Sequence, residues 1–335
     1  MKIKRIEITL YKLVSFSILL VSTYCFANKP LILRTAETQP ADYPTSQALE
    51  FMGEKLDEWS DGEINIKLYS GGQLGDEKDT LEITIFGGID LARINIAPLN
   101  SIVPETNVFG LPFLFRSTAH MRNVVDGEIG EEILAALEPY GLIGLAFYDS
   151  GARSIYNNSR EIRRPEDLAG LKIRVQNSDL AVAMVEALGA NPTPMGFGQV
   201  YESMVLGTID GGENNWPSYE ASRHYEAAPY YTLTRHTMTP EVLVMSKHRW
   251  QKLSSKQQQL IRQAAKVSVP YMRQLWDMRV NAAQAKIISA GGHIGEPDDM
   301  QPFVDAMKPV YQKFVDTEKK RKLVERILAV EENDE

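Results

Sequence analysis

Residues 170–177 read GLKIRVQN, a short stretch in which apolar and polar side chains alternate. The alternation predicts a β-strand with Ile173 and Val175 on one face and Arg174 and Gln176 on the other. A guanidinium on a mostly buried strand needs an anionic partner, because leaving the charge unpaired costs several kcal/mol or more. No acidic residue stands within two positions of Arg174. The anion is therefore either a carboxylate from a distant part of the fold, as in an ordinary internal salt bridge, or a bound ligand.

Strand and helix signals alternate along the chain before this stretch. Residues 49–59 carry the apolar stripe of an amphipathic helix, and residues 64–68 and 142–148 have the patterns of strands. This order predicts an α/β fold with a largely parallel sheet, in which ligands bind at the carboxyl ends of the strands. Residues 254–288 predict one nearly continuous helix.

The first 27 residues have the pattern of a signal peptide. A lysine-rich start precedes an apolar stretch from Leu13 to Val21, and Cys25-Phe26-Ala27 has the small-x-small spacing of a signal-peptidase site. The apolar stretch is short for a membrane span, which makes a permanent N-terminal anchor the less favoured alternative. We therefore expect an exported protein of the bacterial periplasm. Cleavage would remove the single cysteine, so the mature chain would have no disulfide.

Composition and motifs argue against several classes of function. The 335-residue chain is 44% hydrophobic, enough for two buried cores, and its formal net charge of −8 gives no general attraction for anions or nucleic acid. The sequence has no HExxH motif, no GxSxG nucleophile elbow and no phosphate-binding GxxxxGK loop. We therefore predict no metal site, no cofactor, no catalytic residues and no nucleic-acid partner. Any anion site must be built from particular arginines.

Polar side chains lie at the ends of several predicted strands. Arg153 and Arg174 belong to successive strands, and two arginines can clamp one carboxylate with bidentate, charge-assisted hydrogen bonds. Amide and carboxylate side chains can hydrogen-bond hydroxyl groups. The set predicts a receptor for a small acid that also carries hydroxyl groups. Its further members are Asn214, Asn215, Glu37 and Asn95.

Several motifs in chain order resemble the periplasmic solute-binding proteins of TRAP (tripartite ATP-independent periplasmic) transporters. The resemblance implies a two-lobe periplasmic binding protein with a cleft between the lobes and a long helix that spans both. It implies that Arg174 binds the ligand carboxylate with help from Arg153 and Asn214. It also implies a membrane permease as partner, a monomer, and Phe197 either as an apolar wall of the pocket or as ordinary core packing. The motifs are YSGGQLG (69–75), LPFLF (111–115), GLKIRV (170–175), PM (194–195) and the segment from VY (200–201) to DGGEN (210–214).

The resemblance further implies that the chain crosses between the lobes more than once. Residues 28–151 and 239–280 are assigned to lobe I, and residues 152–238 and 281–335 to lobe II. Ser150-Gly151 is a suitable crossover, because glycine accepts unusual backbone dihedrals.

The chain is also similar to the members of this family that bind hexuronates, meaning glucuronate and galacturonate. In lobe I, Glu37, Glu77 and Asn95 offer acceptors that suit sugar hydroxyls and would repel a second carboxylate. A C4-dicarboxylate or another sugar acid remains the alternative ligand if Arg34 or Arg93 faces the cleft. The similar segments are AETQP (36–40), GARSIYN (151–157), RVQNSD (174–179, with Gln176) and ENNWPSY (213–219).

Two other functions could use the same residues. A periplasmic enzyme acting on sugar acids would need a proton-transfer pair in the cleft, such as Glu37 with His236 or Glu213. A ligand sensor would present its closed form to a signalling receptor instead of a permease. Because the candidate set pairs no nucleophile with a base, we expect a receptor that closes by a hinge motion and not an enzyme.

Overall fold

The computed structural model describes residues 29–332, and the predicted signal peptide, residues 1–27, lies outside the described residues. Two mixed β-sheets with helices packed around them form two lobes. No helix within residues 29–332 is long and apolar enough to cross a membrane. The strands are β1 (Leu31–Ala36), β2 (Ile64–Tyr69), β3 (Leu91–Asn95), β4 (Leu142–Tyr148), β5 (Arg153–Asn157), β6 (Lys172–Val175), β7 (Asn191–Pro194), β8 (Gly211–Asn214), β9 (Tyr230–Thr237), β10 (Glu241–Ser246) and β11 (His293–Gly295).

The helices connect and cover these strands. Short 3₁₀ turns occupy Pro104–Gly110, Glu138–Tyr140, Pro165–Leu168 and Phe197–Gln199. The α-helices are α1 (Pro44–Trp59), α2 (Glu77–Ile85), α3 (Ile96–Leu99), α4 (Thr118–Asp126), α5 (Glu128–Ala136), α6 (Asp179–Ala187), α7 (Val200–Val205), α8 (Trp216–Ala221), α9 (His224–Ala227), α10 (Lys247–Trp250), α11 (Ser255–Ser289), α12 (Gln301–Ala306), α13 (Lys308–Phe314) and α14 (Glu318–Leu328).

Both sheets are mixed, whereas the sequence pattern had predicted a largely parallel sheet. The first sheet has the order β2-β1-β3-β10-β4, with β10 antiparallel to both of its neighbours. The second has the order β11-β9-β5-β8-β6-β7, with β5 antiparallel to β8 and β9. The reason is the path of the chain: β4 runs from the first sheet into β5 of the second, and β9 returns into β10. Because the two crossings run side by side in opposite directions, β4 and β10 are antiparallel in the first sheet, and β5 and β9 are antiparallel in the second.

The two crossings occupy short segments, at residues 149–152 and 238–240. Gly151 has φ of 59°, in the left-handed region where glycine is favoured, as expected for a crossover. A Cβ at this position would also lie 3.2 Å from the ring of Trp276 in α11. The lobe boundaries placed at 151/152 and 238/239 remain a prediction.

Helix α11, Ser255–Ser289, contains 35 residues and confirms the predicted long helix. The side chain of Ser254 accepts a hydrogen bond from Gln257 N, and the side chain of Gln257 accepts one from Ser254 N, so a capping box fixes its start. The helix packs on α1 and β4 in the first lobe and on α8 in the second. It therefore ties the outer surfaces of both lobes together.

The hydrophobic core continues from one lobe into the other. Leu49, Met52 and Leu56 of α1 are fully buried against the first sheet, as their spacing predicts. A second apolar cluster contains Phe109 of the first lobe together with Leu180 of the second. Apolar packing therefore joins the lobes in addition to the two strand crossings.

Candidate functional site

A cavity lies between the two sheets and is lined by side chains from both lobes. It holds about 510 Å³ of space free of atoms, part of it open to solvent. Of the nine predicted site residues, Glu37 and Asn215 lie outside this lining. The seven that line the cavity are Arg174, Arg153, Asn214, Asn95, Glu77, Gln176 and Phe197.

Arg174 projects from β6 with only 3% of its surface exposed. Its Nε and Nη2 donate to the main-chain oxygen of Met195, at 3.1 and 2.8 Å. Its Cζ lies 5.9 Å from the centre of the Phe197 ring, within range of a cation–π contact. Arg174 forms no ion pair with any carboxylate of residues 29–332. Within that range the fold supplies no internal salt bridge for Arg174, which leaves the alternative of a bound anion.

The surroundings of Arg174 leave its charge poorly compensated. Burial lowers the pKa of Arg174 below the ordinary arginine value, and the positive charge of Arg153 adds to the effect. His224 lies edge-on to the Phe197 ring. Its Nδ1 shares a hydrogen bond of 2.8 Å with the hydroxyl of Tyr156. Burial, together with the charge of Arg174, lowers the pKa of His224 to about 3, so this imidazole is neutral at pH 7.

Arg153 also lines the cavity, but its charge is neutralised within the protein. Its guanidinium forms an ion pair with both carboxylate oxygens of Glu213, with Nη2–Oε1 at 2.7 Å, and Nη1 donates to Oδ1 of Asn214 at 2.8 Å. Burial alone would raise the pKa of Glu213, yet Arg153 and His236 outweigh it and lower the pKa to about 2. Arg153 and Asn214 are therefore bonded to each other and to Glu213 at the cavity wall. Arg174 is the buried arginine of the lining that has no carboxylate partner among residues 29–332, and the exposed Lys78 is the other lining cation without one.

On the first-lobe side, Arg93 is surrounded by carboxylates. This fully buried guanidinium forms ion pairs with Glu37, Glu77 and Glu241, and its Nη2 donates to the hydroxyl of Thr38 at 2.7 Å. We call Arg93 and these three glutamates the lobe I acidic cluster. Arg93 does line the cavity, but the negative charges of its three carboxylate partners already exceed its single positive charge.

Glu37 was predicted to contact a ligand, and the structure places it behind the cavity wall. It is 2% exposed, and its oxygens accept from Arg93, from Gln39 N at 2.9 Å and from the hydroxyl of Thr45 at 2.9 Å. Its position at the end of β1 was predicted, but its partner lies 56 positions away in sequence. Glu37 therefore orients Arg93 and does not reach the cavity.

Asn215 also lies outside the cavity lining. Its side-chain oxygen accepts from Ser218 N at 2.8 Å and caps α8, while its Nδ2 donates to the hydroxyl of Ser150 at 3.1 Å. Gln176, by contrast, lines the cavity with no side-chain hydrogen bond to residues 29–332. Phe197 is half-buried beside Arg174, so it forms a wall of the cavity and does not belong to the core.

Asn95 and Glu241 form a polar wall opposite Arg174. The side-chain oxygen of Asn95 caps α3 at Ala97 N, and its Nδ2 donates to Oε1 of Glu241 at 3.2 Å. Sequence reasoning missed Glu241. The available signal was an acidic residue directly before the apolar run VLVMS of β10, the same kind of strand-end placement that identified Glu37.

Arg34 does not face the cavity. It lies outside the lining, and its guanidinium donates to the main-chain oxygen of Gly88 at 2.7 Å.

The lobes touch each other directly at the cavity. The hydroxyls of Tyr43 and Ser218 lie 2.8 Å apart. The Asp76 carboxylate lies against the backbone of Gly196 so closely that a Cβ on this glycine would overlap with it. At Gly198, two residues on, the same carboxylate is 3.9 Å from the Cβ position, which is ordinary contact. Both Asp76 and Gly196 line the cavity, so its narrow shape depends on glycine at 196.

Comparisons with known proteins agree with this architecture. The family model described as bacterial extracellular solute-binding protein, family 7, matches residues 35–318. A solute-binding protein of Chromohalobacter salexigens is 45% identical over 276 residues, 82% of each chain.

Solved structures are similar over nearly the whole described chain. A TRAP periplasmic solute-binding protein of Bradyrhizobium sp. BTAi1 in complex with α/β-D-galacturonate matches with a TM-score of 0.88 and 55% identity, covering 89% of this chain and 99% of that one. One from Chromohalobacter salexigens with bound D-glucuronate has a TM-score of 0.86 and 43% identity, with coverage of 88% and 99%. The two-lobe binding-protein fold is therefore confirmed.

The Arg153–Glu213 pair predicts a specific loss of stability in acid. Because the pKa of Glu213 is lowered to about 2, against roughly 4.3 for an unfolded glutamate, its ionised form stabilises the fold above about pH 4. This contribution is lost as the pH falls towards 2. Between pH 6 and pH 3 the unfolding free energy should fall by about 2 kcal/mol more in the wild type than in Glu213→Gln. Equal declines in urea titrations of the two proteins would contradict the assignment.

Proposed function

The chain belongs to the bacterial extracellular solute-binding proteins of family 7, which serve as receptors of TRAP transporters, and we propose that it binds a hexuronate, D-galacturonate or D-glucuronate. The observation that carries the proposal is Arg174, a buried guanidinium at the cavity with no carboxylate partner within residues 29–332. A ligand carboxylate supplies this partner through charge-assisted hydrogen bonds. Similar proteins bound to galacturonate and glucuronate support this choice of acid.

The opposite wall of the cavity suits the hydroxyl groups of a sugar acid. Glu77, Glu241 and Asn95 all line it, and their carboxylate and amide oxygens accept hydrogen bonds from hydroxyls. The ligand therefore lies with its carboxylate at Arg174 and its ring hydroxyls towards the lobe I acidic cluster. Asn214 and Gln176 lie on the cavity wall and can bind further hydroxyls.

The same wall disfavours a C4-dicarboxylate. A diacid would need a second available cation, and the cations on that wall are Arg93 and the exposed Lys78. They are outnumbered by the carboxylates of Asp76, Glu77 and Glu241 on the same lining, with Glu37 behind it. The Arg93 guanidinium is paired with three carboxylates, so a second ligand carboxylate would meet surplus negative charge. Arg34 does not reach the cavity. A monocarboxylic sugar acid therefore fits better than a diacid.

Binding works by closure of one lobe on the other. The ligand carboxylate docks on Arg174 of the second lobe, and the first lobe then brings Glu77, Glu241 and Asn95 onto the hydroxyls. A ligand shifts the balance between open and closed forms by its greater affinity for the closed form. Contacts such as Tyr43–Ser218 and Asp76–Gly196 form only when the lobes meet.

The protein acts in the periplasm after removal of residues 1–27, as a monomer, and delivers its ligand to a TRAP membrane permease. It does not transform the ligand. A proton-transfer pair would have to face the cavity, but Glu37 and His236 lie outside its lining, and Glu213 is held by Arg153. The protein therefore acts as a receptor and not as a sugar-acid enzyme.

Substitution of Arg174 tests the proposal most simply. The wild type should bind D-galacturonate or D-glucuronate and not neutral D-galactose in calorimetric titrations. Arg174→Ala should weaken binding by about 2–5 kcal/mol, roughly thirty-fold to several-thousand-fold in Kd, because the ligand carboxylate loses its buried partner. Arg174→Lys should also weaken binding, since lysine lacks the planar fork of donors.

The matched control is Arg163→Ala, an exposed arginine of the same lobe. It should bind like the wild type. Arg174→Ala should still fold, because no carboxylate among residues 29–332 relies on Arg174 as its partner. Unchanged hexuronate affinity in a folded Arg174→Ala protein would overturn the proposal.

The contact at Gly196 predicts a closure defect without loss of a ligand contact. Gly196→Ala should place a methyl group against the Asp76 carboxylate, so this side chain must turn away before the lobes can close, which costs about 1 kcal/mol, or roughly five-fold in Kd. Gly198→Ala is the control and should bind normally. Asp76→Ala added to Gly196→Ala should recover part of the affinity. Equal affinities of the two single variants, with equal ligand-induced compaction in X-ray scattering, would contradict this prediction.

A further inference from the structure

The lobe I acidic cluster contains more negative than positive charge. Glu37, Glu77 and Glu241 all form ion pairs with the single guanidinium of Arg93. The side chains of these glutamates are 0%, 14% and 9% exposed, in that order, so water can stabilise little of the surplus. Close carboxylates that share a site raise each other's affinity for protons.

Binding of an acid removes a positive charge that offsets this surplus from across the cavity. In the free protein, Arg174 is a buried cation of the same cavity without a carboxylate partner among residues 29–332, and Glu77 is one of the charges that favour its ionised form. A ligand carboxylate neutralises Arg174. The attraction that helps keep Glu77 ionised is then removed, while the repulsion within the cluster remains.

We propose that Glu77 gains a proton when the hexuronate binds, and that the resulting carboxyl group donates a hydrogen bond to a ligand oxygen. This inference rests on the proposed function. The proton comes from the solvent buffer and adds to the carboxylate, so no other bond changes. Glu77 thereby changes from an acceptor that repels the anion into a neutral donor.

Glu77 is the member of the cluster best placed to carry the proton. Its Oε1 accepts from Arg93 and, at 3.4 Å, from the hydroxyl of Thr38. The main-chain N–H of Asn95 also favours the ionised form, but no described side chain donates to Oε2. Both oxygens of Glu37 are occupied by donors, and both of Glu241 are as well, through Arg93 and Asn95. Glu77 is also the most exposed of the three and lines the cavity.

The charged groups around Glu77 come from every element that packs near it. Burial raises the pKa of Glu77 to about 7; Arg93 of β3 opposes this, and Glu241 of β10 and Glu37 after β1 add to it. Asp76 and Lys78 flank it in sequence and also line the cavity, with opposite charges. Asp79 belongs to the same first turn of α2. Near neutral pH, a small change in this balance therefore alters the protonation of Glu77.

Proton uptake is measured by titrating the mature wild-type protein with D-galacturonate or D-glucuronate in phosphate and in Tris at pH 8. The two buffers have different ionisation enthalpies, so the difference in observed heat counts the protons taken up. We expect uptake of about half a proton or more per ligand, with affinity falling by up to about tenfold per pH unit above pH 7.

Glu77→Gln should abolish both effects, because the amide has the shape of the carboxyl group, donates a hydrogen bond and does not titrate. Glu226→Gln changes an exposed glutamate paired with Arg223 and should keep the wild-type uptake. Hexuronate binding with equal heats in both buffers would overturn this inference and leave the proposed function intact. Uptake that persists in Glu77→Gln would also overturn it. Absence of any hexuronate binding would instead overturn the proposed function and the inference with it.

Discussion

Three arginines are buried around one cavity, and the unequal way in which the fold neutralises them determines what the protein can bind. Arg153 has Glu213 as its partner, and Arg93 has three glutamates. Arg174 has only the main-chain oxygen of Met195 within the described chain. A buried charge that lacks a counter-ion is costly, which is why we propose that an anion from outside completes this site. In that proposal the first two arginines shape the cavity, and the third selects a carboxylate.

The topology places these groups where a hinge can act on them. Arg153 begins β5 directly after one crossing between the lobes, and Glu241 begins β10 directly after the other. Arg174 lies on β6, beside β8, whose last residue is Asn214. The site is therefore built from strand ends at the crossings, while α11 and the shared apolar cluster hold the outer surfaces together. The hinge motion that we propose would act at these crossings and change the distance between the two walls of the cavity.

Local sequence patterns predicted much of this arrangement. Alternation identified the strand of Arg174, a long helical pattern identified α11, and glycine marked one crossing. The patterns did not predict the antiparallel β10, because its direction follows from the path of the whole chain. They also did not identify the partners of buried charges: Arg93 lies 56 positions from Glu37 and 148 from Glu241. The sequence shows that such residues need partners, and only the fold shows that Glu37 and Asn215 find theirs inside the protein.

The most direct test of this account is a crystal structure of the mature protein with D-galacturonate. The account predicts both carboxylate oxygens of the ligand within hydrogen-bonding distance of the Arg174 guanidinium, and ring hydroxyls at Glu77, Glu241 or Asn95. A ligand carboxylate at Arg93 or Lys78, with Arg174 free of the ligand, would contradict the claim that one uncompensated arginine determines what this protein binds.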